Sequence, residues 1–308
     1  MGSKMEIQSS EKEENAEAQT PTRVSLSVVI PAYNEATTIG QVITRIKRLE
    51  GFDTEIIVVD DGSTDETSEN ADACGADRVI RHRKNMGYGA ALKTAIHHAR
   101  HDLVVTIDAD FQHDPADIVL LCKNLDEETD MIIGDRSQNE AASHRTAGKW
   151  LLRHVAQFLT REKISDLNCG LRVFRRDRFL SVVSLLPDGF SFSTNLTLAF
   201  MKSGYGVKWI PIHWNARGGG KSRVNPLTDG INTLTLICRL ITLYDPMRVF
   251  LPVSAALFIL GFIYAAVWVI WFFNIPDGSV LLMVMGVFLF FFGLIADQIS
   301  HLRRSLNR

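Results

Sequence analysis

The sequence predicts an α/β protein: a doubly wound, mostly parallel sheet joined to interfacial helices and a C-terminal two-helix transmembrane hairpin. Three observations carry this. Short apolar, β-branched runs alternate with helix-period segments from Val24 to Ile133, which calls for right-handed crossovers between parallel strands. A polar motif stands immediately after each of four of these segments. Two long uncharged apolar stretches then follow.

Composition agrees. The 308 residues are 46% hydrophobic with a formal net charge of −2. That suffices for one large core, or a core plus membrane elements, and gives no reason to expect nucleic acid as a partner. Cys74, Cys122, Cys169 and Cys238 are widely separated, with no C-x-x-C and no paired spacing with histidine. They read as reduced cytosolic thiols. Met1–Arg23 is polar, rich in Glu and Ser, and lacks the apolar segment of a signal peptide, so a disordered arm is expected.

The elements follow in order. Ser25–Ile30 is an apolar strand ending at Pro31, and Glu35–Leu49 has helical spacing through Ile39, Val42, Ile43, Ile46 and Leu49. Glu55–Val59 is the second strand, after which Asp60-Asp61-Gly62-Ser63-Thr64-Asp65 turns into a capped helix. Asp77–Ile80 is a short third strand, and a glycine-bearing loop leads into a helix over Gly87–Arg100. Leu103–Ile107 is the central strand. Asp114–Leu125 is helical and Asp130–Ile133 is another short strand. The regularity breaks after Gly134. Ser143–Glu162 reads as a basic amphipathic helix, and a second lies within Asn225–Tyr244; both suit a membrane interface.

The central strand ends in Asp108-Ala109-Asp110. The first and third residues of a strand point to one side, so both carboxylates would converge at its carboxyl end, where open α/β sheets bind ligands. Two hard oxygen ligands with Gln112 close by suit Mg²⁺ or Mn²⁺ that keeps positions open for substrate phosphates. A bare D-x-D is common, however, and an acidic turn leading to a helix start at Asp114-Pro115 is the plainer alternative.

Val249–Phe273 is about 25 residues without a charge, enough to cross a hydrocarbon core of ~30 Å. Val280–Ala296 is apolar again but near the lower length limit, which leaves room for a partner chain, such as a second copy in a homo-oligomer. Arg239 and Arg248 precede the first span, Arg303, Arg304 and Arg308 follow the second, and the turn holds only Asp277. The positive-inside rule then places both termini and the sheet domain in the cytoplasm. The expected divisions are 1–23 (arm), 24–224 (catalytic domain), 225–248 (juxtamembrane segment) and 249–308 (anchor with basic tail).

Taken together, Pro31-Ala32-Tyr33-Asn34-Glu35, Asp60-Asp61-Gly62-Ser63-Thr64-Asp65, Asn85-Met86-Gly87-Tyr88-Gly89 and Asp108-Ala109-Asp110 resemble the family 2 glycosyltransferases of GT-A fold, over Val24–Arg136. Gly134-Asp135-Arg136, Asp166–Arg176 and Gly220-Lys221-Ser222-Arg223, followed by a hairpin, look like the polyprenyl-phosphate branch, which includes dolichol-phosphate mannose synthases and undecaprenyl-phosphate glucosyltransferases. The resemblance implies a nucleotide-sugar donor, GDP-mannose or UDP-glucose being the leading candidates, and a polyprenyl-phosphate acceptor. It implies donor contacts from Pro31, Tyr33, Asn34, Glu35, Val59, Asp60, Asp61, Asn85, Gly87, Gly89, Asp108, Ala109 and Asp110. It assigns Mg²⁺ or Mn²⁺ to Asp108, Asp110 and Gln112. Arg136, Arg153, Arg172, Arg217, Lys221, Ser222 and Arg223 become acceptor or phosphate contacts, with Asp108, Asp110 and Arg136 central to catalysis. Lys221 departs from the family, which usually has an acidic residue there.

The chemistry is consistent with this. A departing nucleoside diphosphate needs its charge stabilised, which a divalent ion and arginine supply. Transfer to an alcohol would also need a general base. Phe192-Ser193-Thr194-Asn195 fills the region where polysaccharide-making relatives carry a catalytic aspartate, and an ionised lipid phosphate needs no base. Two rivals are a transferase acting on a glycolipid hydroxyl and a catalytically inactive membrane scaffold.

Overall fold

The computed structural model describes residues 23–136, 154, 157–158, 163–189, 191–213 and 245–305. Within them one mixed sheet of seven strands carries the domain, in the order β3-β2-β1-β4-β6-β5-β7. The strands are β1 (Val24–Ala32), β2 (Phe52–Asp60), β3 (Arg78–Arg81), β4 (Leu103–Thr106), β5 (Met131–Asp135), β6 (Arg172–Arg175) and β7 (Val207–Pro211). The helices are α1 (Ile39–Ile46), α2 (Thr67–Ala73), α3 (Tyr88–His98), α4 (Asp117–Lys123), α5 (Arg176–Val182), α6 (Phe192–Lys202), α7 (Met247–Phe272) and α8 (Asp277–Ser305).

The apolar runs behave as expected. β1 pairs parallel with β2 on one side and with β4 on the other, Val29 standing opposite both Ile57 and Thr106. Leu26, Val28, Val29, Ile30, Ile57, Val58, Val104 and Val105 are fully buried, as strands covered on both faces must be. Ile39, Val42, Ile43 and Ile46 place α1 against that core. The chain leaves β1 first toward β2 and later returns to its other side as β4. The gap between the carboxyl ends of β1 and β4 is therefore the topological switch point, where open α/β sheets bind ligands.

Beyond Gly134 the sheet departs from the alternation. β6 runs antiparallel between β4 and β5, with Thr106 opposite Arg172 and Ile133 also opposite Arg172. β7 then adds parallel to β5 as the outer strand. The sheet remains mostly parallel, with an inserted antiparallel strand that four residues flanked by arginines did not announce. Almost every side chain of α6 is buried, so it has no polar face from which a period could be read.

The two apolar helices form the hairpin. Each offers a 26-residue candidate span, about 39 Å at 1.5 Å per residue, which exceeds a ~30 Å hydrocarbon core. The second span is thus longer than the sequence suggested, because helix continues to both sides of the uncharged run. Gly286 lies against the Ser254 carbonyl and Gly293 against Phe250, so small residues bring the helices close. Ile270 and Trp271 are 72% and 75% exposed, excluding a pair of buried core helices. The amphipathic helix expected over 143–162 lies largely outside the described residues, though His154, Gln157 and Phe158 are helical. The segment 225–244 lies outside them entirely.

Candidate active site

The first two motifs are stitched to each other across the switch point. Asn34 takes a left-handed φ of 57°, and its N–H donates to Ser63 Oγ at 2.9 Å. Its side-chain Oδ1 accepts from the Thr64 N–H at 2.9 Å. The Glu35 N–H donates to Thr67 Oγ1 at 2.9 Å, and the Ala36 N–H to Asp65 Oδ2 at 3.2 Å. These bonds consume the turn that periodicity assigned to the start of α1, and so the helix begins at Ile39.

Asp60 and Asp61 are buried, and both carboxylates are taken up by groups of the chain itself. Asp60 accepts from the Ser63 N–H at 2.8 Å and from the Ser68 hydroxyl. Arg81 Nε lies 3.5 Å from its other side. Asp61 accepts from the Met86 and Gly87 N–H groups at 2.9 and 2.7 Å and meets His82 Nδ1 at 2.7 Å. Asp61 therefore ties the third motif to the second. Val59 and Pro31 are buried as well, whereas Tyr33, Asn34 and Asn85 are exposed on the rim.

Gly87 and Gly89 have a packing reason. Gly87 has φ +105°, and a Cβ there would sit 2.5 Å from the Asp188 carbonyl oxygen; one on Gly89 would collide with that of Pro187. The Pro187–Gly189 turn crosses the start of α3 at this point. The Ala90 N–H donates to the Asp188 carbonyl at 3.0 Å, and Lys93 Nζ reaches the Asp188 carboxylate at 2.8 Å. Only glycine permits so close a crossing.

The D-x-D does not sit on a strand. β4 ends at Thr106, so pleat alternation does not govern Asp108 and Asp110, and a turn places them instead. Phe111 adopts φ 60°, and the Gln112 N–H donates to Asp110 Oδ1 at 3.1 Å. Asp108 Oδ1 accepts from the Tyr88 hydroxyl at 2.9 Å, and burial together with the Asp108 charge pushes that phenol well above its usual value. His113 Nε2 lies 3.9 Å from Asp108 Oδ2. Burial, helped by the nearby Arg136 charge, lowers the His113 pKa to about 4, so the ring is neutral. Its Nδ1 is buried without a hydrogen-bond partner.

The donor set fits a hard divalent ion. Among the described residues no group of three or more His, Cys, Asp or Glu is placed to hold a metal. The rim carries two carboxylates, Asp108 and Asp110, with Gln112 in the same turn. Mg²⁺ and Mn²⁺ are bound in this way, by one or two carboxylates with phosphates and waters completing the shell.

Arg136 follows β5 and is clamped by Asp166, Nε to Oδ2 at 2.7 Å and Nη2 to Oδ1 at 3.1 Å. Burial raises the Asp166 pKa, but the hydrogen bonds and charge of Arg136 outweigh it and hold the carboxyl below its usual range. The loop from Asp166 to Gly170 thereby fixes the guanidinium plane. Asn168 in that loop accepts from Thr194 Oγ1 at 2.7 Å, which joins it to the first turn of α6.

Arg172 behaves otherwise than expected of a phosphate contact. It is 1% exposed and donates to the Cys169 carbonyl at 2.8 Å, Thr197 Oγ1 at 2.8 Å and the Leu167 carbonyl at 2.9 Å. It stands on β6, beneath the Asp166–Gly170 loop, and holds that loop from inside. Arg172→Met is expected to destabilise the fold by about 3 kcal/mol, since it breaks a buried hydrogen-bond network. Thermal unfolding checks this; a variant as stable as wild type with a selective defect in acceptor KM would return Arg172 to the phosphate. Arg153, Arg217, Lys221, Ser222 and Arg223 lie outside the described residues.

Tyr88 lies within the third motif and Asp166 and Gly170 within the Asp166–Arg176 stretch, but residue pattern gave none of these a role of its own, and it missed His113. Asp166 lies 30 positions from Arg136 and Gly170 lies 62 from Asp108, and no local spacing marks either pair.

Comparison with known proteins agrees with this geometry. The description "Glycosyl transferase family 2" matches residues 27–181, and "GtrB C-terminal hairpin" matches residues 245–302, the span of α7 and α8. Glycosyltransferase AglJ of Haloferax volcanii is 29% identical over 92% of this chain and 96% of its own length. An undecaprenyl-phosphate 4-deoxy-4-formamido-L-arabinose transferase of Enterobacter sp. is 29% identical over 77% of this chain and 73% of its own. Glucosyl-3-phosphoglycerate synthase from Mycobacterium tuberculosis, solved with Mn²⁺, uridine diphosphate and phosphoglyceric acid, superposes with a TM-score of 0.57 at 25% identity, covering 71% of this chain and 78% of that one. A rim of loops at the switch point, a D-x-D beside it, and a family match across the whole of both identify the chain as a membrane-anchored glycosyltransferase that belongs to glycosyl transferase family 2.

Proposed function

We propose that this enzyme transfers one hexose from a nucleotide sugar to a polyprenyl phosphate at the cytoplasmic membrane face, with inversion. The observation that carries the proposal is the first turn of α6. Phe192, Ser193, Thr194 and Asn195 pack beside the Asp166–Gly170 loop with no carboxylate among them, while Arg136 stands clamped on that loop's other side. A rim with the fixed cation Arg136 and no base at this position suits an acceptor that arrives already ionised. The anchor and the undecaprenyl-phosphate relative support a lipid acceptor.

The displacement balances without a proton transfer. An acceptor phosphate oxygen attacks the anomeric carbon, the bond to the nucleoside diphosphate breaks, and the electron pair leaves with the diphosphate. Asp108, Asp110 and Gln112 would hold Mg²⁺ or Mn²⁺, which when bound stabilises the charge of the leaving group. Tyr33, Asn34 and Asn85 offer exposed groups for the nucleoside, and the buried Asp60 and Asp61 shape the loops that carry them. Arg136 is oriented by Asp166, and arginine favours bidentate contact with phosphate.

The test is a donor panel, GDP-mannose and UDP-glucose first, incubated with Mn²⁺ and either a polyprenyl phosphate or the same lipid bearing a neutral sugar. Lipid products are identified by mass. Expected is a polyprenyl phosphosugar from one donor and no product from the neutral acceptor. Equal use of the neutral acceptor supports the hydroxyl-acceptor rival, and no donor consumption in any arm supports a scaffold. Topology is a second check: a reporter fused after Arg308 should be cytoplasmic and one inserted at Asp277 external. The opposite result would place the rim away from cytosolic nucleotide sugars.

A further inference from the structure

Asp108 leaves the sheet just past β4, and three segments close on its carboxylate. Tyr88, opening α3, donates its hydroxyl to Oδ1 at 2.9 Å. His113 presents Nε2 at 3.9 Å from Oδ2. Gly170, beyond the Arg136-clamping loop, has no side chain; a Cβ there would collide with the carboxylate. Tyr88 is itself fixed. The first turn of its helix is held by the Asp188 carbonyl through the Ala90 N–H at 3.0 Å, and its ring stands edge-on to Phe192, centroids 6.5 Å apart.

We propose that Tyr88 is a positioning residue whose hydroxyl holds the Asp108 carboxylate in the orientation that receives the divalent cation, and so sets the affinity for that cation. This rests on the metal assignment made above. A carboxylate on a turn has a broad terminal torsion. A rigid donor on a neighbouring helix narrows it before the cation arrives. Groups that orient a ligand in this way typically change metal affinity by ~10–100-fold when removed.

The pattern also accounts for the glycines. Gly87 and Gly89 let the Pro187–Gly189 turn lie over the start of α3, that turn fixes the helix, and the helix aims Tyr88. Gly170 leaves the volume into which the carboxylate is aimed.

The test uses the full chain in detergent and Mn²⁺ as the probe, titrated without nucleotide, with UDP and with GDP, and followed by the electron paramagnetic resonance of unbound Mn²⁺. Wild type, Tyr88→Phe, Asp108→Asn and Phe192→Leu are compared, with thermal unfolding of each. Tyr88→Phe is expected to bind Mn²⁺ about 10–100-fold more weakly with its unfolding temperature near wild type, because the ring and its packing remain. Asp108→Asn should lose binding, and Phe192→Leu, which trims the same aromatic contact without touching the hydroxyl, should keep wild-type affinity. Wild-type affinity in Tyr88→Phe alongside loss in Asp108→Asn overturns the positioning role and leaves the metal assignment standing. Equal weakening in Tyr88→Phe and Phe192→Leu assigns the effect to packing and also overturns it. Absence of Mn²⁺ binding by wild type under all three conditions overturns the metal assignment, and the positioning role with it.

Discussion

Asp110→Asn is expected to lower turnover by ~10²–10³-fold while the protein stays folded. The structure explains why the two effects separate. Asp110 Oδ1 accepts the Gln112 N–H at 3.1 Å, closing a turn that asparagine closes equally well through its own side-chain oxygen. The backbone route from β4 to α4 is therefore preserved. What disappears is one negative charge from a site with two carboxylates, and with it much of the hold on a divalent ion. Removing a single electrostatic contributor to a transition state typically costs about 10²–10³ in rate, which at about 1.4 kcal/mol per tenfold is ~3–4 kcal/mol. The measurements are kcat, Mn²⁺-dependent donor binding by calorimetry, and the unfolding temperature. A fully active Asp110→Asn enzyme, or a wild type indifferent to chelator, would sink the metal assignment.

How much of this could be read from the residues depended on whether the information was local. The strands of the first half were legible because Ser25–Ile30, Glu55–Val59 and Leu103–Ile107 are continuous apolar runs, the pattern of strands buried on both faces. Their observed bounds differ by a few residues at the ends. The hairpin was legible from length and absence of charge alone. β6 was not, because Arg172-Val173-Phe174-Arg175 offers two apolar residues between two cations, and a buried arginine is the less common arrangement. The carbonyls of Leu167 and Cys169, brought over it by the loop, and the Thr197 hydroxyl make its burial tolerable.

The motifs were legible as a rim, whereas their division of labour was not. The family resemblance implies donor contacts from Asp60 and Asp61, yet both carboxylates are buried and bind backbone and side chains within the chain, Asp60 in its own loop and Asp61 in the loop of Met86 and Gly87. Gly87 and Gly89 are donor contacts by resemblance, yet another segment of this chain, the Pro187–Gly189 turn, lies directly against them. For Asp61 and the two glycines the competing partner lies far away in sequence. Pattern identifies positions that need an unusual residue; it does not say which neighbour imposes the need.

Arg136→Ala is expected to lower kcat/KM by roughly one to two orders of magnitude, from loss of a hydrogen bond to a charged group worth ~1.5–3 kcal/mol. The clamp adds a second expectation that the sequence did not contain. Asp166 is 11% exposed and Arg136 16%, so the variant leaves a largely buried carboxylate without its cation. Breaking a fully buried pair costs ~3–5 kcal/mol, and partial exposure brings the figure here to about 2–4 kcal/mol. The sign of its pH dependence follows from Asp166. In wild type the carboxyl is held below its usual value, so the stability it contributes is present above its unfolded pKa of ~3.9 and is lost as pH falls through the folded value. In Arg136→Ala only the Asn168 N–H and the Arg172 charge still counter burial, so the folded value rises above that of wild type. The penalty is then largest at neutral pH and shrinks as acid protonates Asp166. Unfolding temperatures of the two proteins should therefore converge on acidification from pH 7 toward pH ~4. Activity must be compared where both are folded, and there a second variant separates catalysis from stability. Asp166→Asn keeps the Arg136 charge, so a phosphate acceptor should still be used, with a smaller loss than in Arg136→Ala. With no base to titrate, the wild-type rate should rise with the second ionisation of the acceptor phosphate, near pH ~6, and stay flat above it. If Asp166→Asn is as inactive as Arg136→Ala while folded, or if an Asp or Glu away from the metal site proves to titrate with the rate, Arg136 is not acting on acceptor charge, and a base-dependent transfer to a hydroxyl takes its place.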